Sequence, residues 1–318
     1  MIRSFLPDRF VQLLLGVIVL ASLLPVRGQA AETAGWISTI GVFLLFFLNG
    51  LRLSREEVLH GIRNWKLQGA IFFWVFGAMA AAGFLAGWAT EGWLPAGVAL
   101  GLVYLGVLPT TVQSATAYNS MAKGNVAASV VASALVNLIG VVLTPVLFAS
   151  IARASGIVLH SDAAIRIATT LLLPFVLGQI AQARFGHWVR HHRTLTTLLD
   201  RGVIALAVYV GFSGAVVAGI WSRVSWQELG VLMLAICALL GFAFGGSWLL
   251  GGVLKLSRAD RKTLLFSGAQ KSVAVGAPLA ALLFTGEMAG MVLMPILLYH
   301  LLQLVLSAPL AARLSRDA

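Results

Sequence analysis

The chain has 318 residues, 59% hydrophobic and 10% charged, with a net charge of +11 and a mean hydropathy of +0.94. Apolar runs of membrane-spanning length recur along it, so the composition implies a polytopic helical membrane protein and excludes a soluble one. The basic residues sit in short gaps between apolar runs, where topology and not nucleic acid accounts for them, and the single Cys237, inside an apolar run, leaves no disulfide framework or thiolate metal site and reads as a small core residue.

Ten spans are predicted, at about 10–25, 35–51, 67–88, 93–121, 125–151, 167–183, 202–222, 230–254, 263–285 and 289–312, each near the ~20 residues a bilayer requires. The first has the apolar centre and cleavage-like end of a signal peptide. Its retention is expected, because removal would leave nine spans and break the symmetry described below. With both termini cytoplasmic, the inner segments hold all but five of the 22 lysines and arginines. Arg27, Arg153, Arg166 and Arg223 fall outside and Lys271 falls in the membrane, a bias that fits an even number of spans. The cluster "RFGHWVRHHR" (184–193) reads as a cytoplasmic loop on anionic headgroups, with a metal or pH-sensing role as the other option. All 11 carboxylates fall in loops or at span ends, so none is left for the membrane interior. Ion carriers commonly place one there.

Two spans look broken. "GVLPTTVQSATAYNSMA" (106–122) and "FSGAQKSVAVGAPLA" (266–280) each interrupt an apolar run with proline, glycine and small polar residues, and each carries a Gln followed within two residues by Ser: Gln113 with Ser114, Gln270 with Ser272. They are fourth and ninth of ten. Two halves of five spans are necessarily inverted relative to each other, which would bring the two unwound segments face to face near the midplane.

The stretches 108–147 ("LPTTVQSATAYNSMAKGNVAASV…"), 46–54 ("FFLNGLRLS"), 5–10 ("FLPDRF") and "FSGAQKSVAVGAP" resemble the bile acid:sodium symporter family, most closely its SBF-like branch, over nearly the whole chain. The resemblance implies an all-α membrane protein of ten transmembrane helices in two inverted five-helix repeats, about 1–155 and 156–318. It further implies panel and core domains, with crossed, discontinuous helices 4 and 9 and transport by alternating access. One sodium site of such symporters uses Ser and Asn at the first crossover, Ser and Thr on the next helix, and a Glu of the ninth. Here Ser114 matches the first Ser, Ala115 or Thr116 stands at the Asn, and Ser129 and Ser133 match the second pair. A second site uses two Gln, matched by Gln68 and Gln270. Phe266 stands where the Glu is expected and Lys271 where an Asn is, so classical sodium coupling is in doubt. An ammonium about 4 Å from a sodium ion is repelled by roughly 4 kcal/mol at the effective dielectric of a partly buried site.

Lys271 is therefore expected near a former sodium position, tied to Gln270, Ser114, Ser133 and unwound carbonyls, as a built-in cation, a proton carrier or the contact for an anionic solute. His300 reads first as a packed histidine bonded to a carbonyl and second as a candidate proton relay. Gln68, Gln113 and Gln270, Asn49 and Asn137, and Ser129 and Ser133 have a second reading as packing or interhelical hydrogen-bonding residues, and Gly241 and Gly245 as a helix-packing pair. Trp65, Trp88, Trp93 and Trp226 read as interface anchors.

The expected function is secondary transport of a small organic anion in a bacterial inner membrane, with Na+ or H+ as coupling ion, no other cofactor, no nucleic-acid partner and an unread oligomeric state. The alternatives are a sodium-dependent symporter with altered ligands and a non-transporting regulator with the same fold. A remote one is an intramembrane serine hydrolase built on "GFSG" (211–214), with Ser213 as nucleophile and His300 as base.

Overall fold

The structure is a computed structural model and describes residues 9–52, 64–154, 168–219, 225–284 and 287–316. The expected repeat boundary at 155 and 156 lies outside them, as do parts of the motifs at 5–10 and 46–54. So do Arg3, Asp8, Arg55, Glu56, Glu57, Arg63, Asp162, Arg166, Arg223 and Asp317 among the loop charges. The regular elements are helices, with no strand among the described residues. In chain order they are α1 (Arg9–Leu23), α2 (Gly28–Arg52), α3 (Trp65–Ala89), α4 (Ala96–Val107), α5 (Gln113–Met121), α6 (Val126–Ala154), α7 (Leu173–His191), α8 (Arg193–Val217), α9 (Trp226–Val253), α10 (Arg258–Ala269), α11 (Val273–Leu283) and α12 (Glu287–Leu314).

Among the described residues six helices, α2, α3, α6, α8, α9 and α12, are long and apolar enough to cross a membrane by length and composition. The expected spans at 93–121 and 263–285 are each cut in two, into α4 with α5 and α10 with α11, pieces too short to cross alone. The expected span at 167–183 starts with a π turn (Ala168–Leu172) and continues as helix to His191. The histidine cluster therefore lies at the end of α7 and the start of α8, not in a loop as predicted. Among the described residues no group of three His, Cys, Asp or Glu could hold a metal ion.

The helix α2 packs along α7 and α8, α1 lies on α8, α3 on α4, and α9 on α10, while α12 touches α4, α8 and α11. Burial is deepest in α4, where all but two residues are buried. A Cβ on Gly83 of α3 would lie 2.7 Å from Gly106 Cα of α4, so only glycine allows these backbones to touch. That approach sets the π turn of α3 (Trp74–Ala78) beside the end of α4.

Two sequence expectations fail on α9. Gly241 and Gly245 are exposed with nothing within 4 Å of an added Cβ, so among the described residues they pack against no other helix. Cys237 is exposed on the same helix, not in the core. The helical period turns Leu232, Ile236, Leu239, Leu240 and Ala243 inward and leaves those small residues on the outer face.

Candidate functional site

The first break follows from Pro109. A residue before proline is pushed out of the helical region, and Leu108 is extended at φ −68°, ψ 145°; Pro109 itself has no N–H to continue the ladder. The second break spans Gln270 to Ser272, extended at φ −84°, ψ 136° and φ −88°, ψ 109°. The Ser272 side chain accepts from Val275 N at 3.3 Å and caps α11. The breaks meet where Ser272 N donates to Pro109 O at 2.9 Å.

An interrupted helix frees carbonyls that need donors when buried. All six from 106 to 111 have one. Lys271 Nζ donates to Gly106 O and Leu108 O, both at 2.8 Å, and Thr144 Oγ1 donates to Val107 O at 2.9 Å. Pro109 O takes Ser272 N, Thr110 O takes Asn137 Nδ2 at 2.9 Å, and Thr111 O takes Ser133 Oγ at 3.3 Å. A third contact of Lys271 Nζ, at 3.2 Å, is Val75 O in the π turn of α3, where the ladder departs from its i→i−4 pattern.

The ammonium is 1% exposed and held by main-chain carbonyls at the negative end of α4. Among the described residues no carboxylate bonds it. Among the described residues the one salt bridge joins Arg52 to Asp200, at 2.5 Å. The expected ties of Lys271 to Gln270, Ser114 and Ser133 are therefore corrected. In extended backbone neighbouring side chains point opposite ways, and Gln270 points away from the lysine.

Gln270 organises the other side. Its Oε1 accepts from Thr111 Oγ1 at 2.9 Å and from Ser114 Oγ, and its Nε2 donates to Ser307 Oγ at 3.1 Å. Earlier on α10, Ser267 lies 3.2 Å from Ser129 Oγ, which Thr116 Oγ1 approaches at 3.5 Å. Thr263 Oγ1 lies against Asn119 and Asn125, and Asp260 accepts from Asn125 Nδ2 at 2.9 Å. Asp260, Thr263, Ser267 and Gln270 thus form a polar seam along α10 against α5, α6 and their loop. That loop is "AKGN": Lys123 has φ 57°, a Cβ on Gly124 would overlap Asn119 Oδ1, and Asn125 Oδ1 accepts from Ala128 N at the start of α6.

The backbone at Lys271 is fixed from α12. Gln303 Oε1 accepts from Lys271 N at 2.8 Å and its Nε2 donates to Lys271 O at 3.1 Å. His300 Nδ1 is 3.4 Å from the same oxygen and 2.7 Å from Gln303 Nε2. Tyr299 Oη donates to Ala269 O at 2.7 Å.

A family model described as the SBF-like CPA transporter family matches residues 8–316. The chain belongs to that family. Its relatives include "Uncharacterized protein PA2026" of Pseudomonas aeruginosa, 37% identical over 98% of this chain and 94% of that one, and "Putative symporter YfeH" of Escherichia coli, 36% identical over 98% and 93%. "Sodium/bile acid cotransporter 7-B" of Xenopus laevis is 24% identical over 92% and 88%. The chain is thus an integral multi-pass membrane protein of the bile-acid-symporter type.

Against the site residues taken from that family, the structure brings Ser114 to Gln270 and Thr116 to Ser129, and puts Ser133 on the first break. It separates others. Gln68 Nε2 donates to Ala128 O at 3.3 Å and makes no hydrogen bond to Gln270. Gln113 is exposed and makes no side-chain hydrogen bond among the described residues, because the break turns the first residue of α5 outward. Phe266, at the position of the missing Glu, is fully buried and stacks on Tyr118 at 6.2 Å, so an apolar ring fills that place. Asn49 accepts from Arg52 at 3.3 Å, beside the Asp200 pair. Ser213 is buried, and its hydroxyl has no hydrogen-bond partner among the described residues; no base therefore holds the GFSG serine.

Sequence reasoning missed Val75, Thr111, Ser267 and Gln303. A signal existed for two: Ser267 lies three residues before Gln270, and Gln303 three after His300, each on the same helix face as its neighbour. Nothing in the sequence marks a π turn at Val75.

Proposed function

We propose that this chain is a secondary transporter of a small organic anion that works by alternating access, with Lys271 supplying the positive charge that sodium supplies in sodium-coupled relatives. The supporting observation is the meeting of two broken helices around a buried ammonium held by three carbonyls. Broken helices placed in corresponding halves of a transporter mark the solute and ion site, where helix ends offer dipoles to charged groups. In this reading α4 with α5 and α10 with α11 are the fourth and ninth of ten spans. The two halves, about 1–155 and 156–318, are inverted repeats that divide into panel and core, with both termini cytoplasmic in the inner membrane.

Carbonyl oxygens are the ligands that replace the hydration shell of an alkali cation, and here a tethered ammonium takes them. With Phe266 filling the Glu position, no carboxylate among the described residues bonds Lys271 or the hydroxyls of Thr116, Ser129 and Ser267, and Asp260 of the same seam is turned to Asn125 and Asn64. The hydroxyls of Thr116, Ser129 and Ser267 are the one group that favours a retained sodium. The test is uptake of cholate and of a panel of smaller carboxylates into proteoliposomes, with sodium replaced by potassium under an imposed pH gradient. Uptake indifferent to sodium supports the reading. Uptake that requires sodium assigns the ion to those hydroxyls and refutes the resident-cation role, and absence of uptake for every anion removes the transport reading itself.

A further inference from the structure

A second concentration of positive charge lies away from the two breaks, in the turn from α9 to α10. The positive end of a helix favours acids and disfavours bases. Yet α10 starts Ser257-Arg258-Ala259-Asp260-Arg261, and Lys255 stands just before it at φ 52°. Asp260, the one acid of that turn, has its two carboxylate oxygens turned to Asn125 at 2.9 Å and Asn64 at 3.4 Å. Lys255, Arg258 and Arg261 form no salt bridge among the described residues. Three cations and a helix N-terminus thus share the turn with one carboxylate, Asp260, which is engaged by amides and, among the described residues, is paired with none of them.

Arg261 is also held in a fixed pose. Its Nε donates to Trp248 O at 2.7 Å, and its Cζ sits 3.9 Å from the centroid of the Trp248 ring. The side chain crosses α9 over Gly251 and Gly252, where an added Cβ would lie 2.7 Å from its Cγ and 3.2 Å from its Nη2. Both Nη groups make no hydrogen bond among the described residues, which leaves a planar fork suited to a phosphate or carboxylate.

The surroundings choose the source of the anion. The apolar span of α9 ends at Val253, and Leu249 and Val253, one turn apart and each next in sequence to a residue the fork covers, Trp248 and Gly252, are 67% and 78% exposed. A ligand that fits has an anionic phosphate at the fork and a hydrocarbon tail running down α9.

We propose that the α9–α10 turn binds an anionic phospholipid, with its phosphate on Arg261 and Arg258 and its acyl chains on Leu249 and Val253. This does not depend on the transport reading. The experiment is thermal stability and native mass spectrometry of the full-length protein in detergent with added phosphatidylglycerol, phosphatidylcholine or glycerol 1-phosphate. Wild type is compared with Arg258→Gln/Arg261→Gln and with Arg27→Gln/Arg201→Gln, a charge-matched change just before α2 and on α8.

The wild type should gain stability and retain lipid adducts with phosphatidylglycerol above phosphatidylcholine. The α9–α10 variant should lose that difference, with apparent affinity lower by roughly tenfold or more, and the control variant should keep it. Equal phosphatidylglycerol binding by both variants overturns the proposal. A full effect from glycerol 1-phosphate alone overturns the lipid assignment in favour of a soluble anion. If the double variant does not fold, Arg261→Lys gives the same comparison: it keeps the charge and loses the fork, so its phosphatidylglycerol adducts must still fall.

Discussion

Replacing Lys271 by Met shortens the side chain by one atom and removes its charge, leaving Val75 O, Gly106 O and Leu108 O without this donor in a site that is 1% exposed. A buried polar group left unpaired costs about 1–3 kcal/mol, and three of them set a range of about 3–9 kcal/mol. The burial penalty of the ammonium disappears with it, so the lower end, about 3 kcal/mol, is the expected loss. At roughly 2 °C per kcal/mol for a chain of this size, the melting midpoint in detergent should fall by about 6 °C. Lys271→Ala should fall at least as far and be partly restored by methylammonium, which fits the vacated space and has N–H donors. Tetramethylammonium, which has none, should not restore it. A Met variant that melts within about 1 °C of wild type, together with an Ala variant deaf to methylammonium, would refute the view that the ammonium holds these carbonyls.

Gln303→Leu removes both side-chain bonds to the Lys271 backbone and should lower stability by about 2–4 kcal/mol, read as a shift in the denaturation midpoint; an unchanged midpoint would show that α12 does not fix the second break. Asn125→Ala should cost about 1–2 kcal/mol through loss of the α6 cap, and protease cutting near Lys123 should rise; unchanged cutting would count against the loop's anchoring. Gln113→Ala should shift the midpoint by less than about 0.5 kcal/mol and leave uptake unaltered. A large loss of uptake would return Gln113 to the site. Phe266→Ala should destabilise by about 3–5 kcal/mol, since it empties a fully buried aromatic place, in scans run in either sodium or potassium. Recovery by sodium alone would reveal a cation site there.

The membrane class and the two interruptions were legible because proline, glycine and hydroxyl residues inside apolar runs leave few options. Pro109 and Ser272 dictate local backbone whatever surrounds them. What Lys271 touches was not legible. Its partners are main-chain oxygens of Val75, Gly106 and Leu108, which any side chain could have carried, so sequence comparison with sodium ligands drew attention to Gln270, Ser114 and Ser133 instead. Gln113 misled for a related reason: the motif resembles that around Gln270, but the first break turns its side chain out. Cys237, Gly241 and Gly245 show the limit of hydropathy. An apolar run says that a helix is in the membrane, and only packing says which of its sides meets protein.

The six carbonyls from Gly106 to Thr111 also set a problem of timing during synthesis. Those of Val107, Thr110 and Thr111 are met by Thr144, Asn137 and Ser133, residues that leave the ribosome soon after them. Those of Gly106, Leu108 and Pro109 wait for Lys271 and Ser272, more than 160 residues later in the chain. Until then they face lipid or stray water, an arrangement the hydrocarbon interior penalises. The amino-terminal half is thus an incomplete membrane body, and its last three acceptors are closed only when the second break arrives.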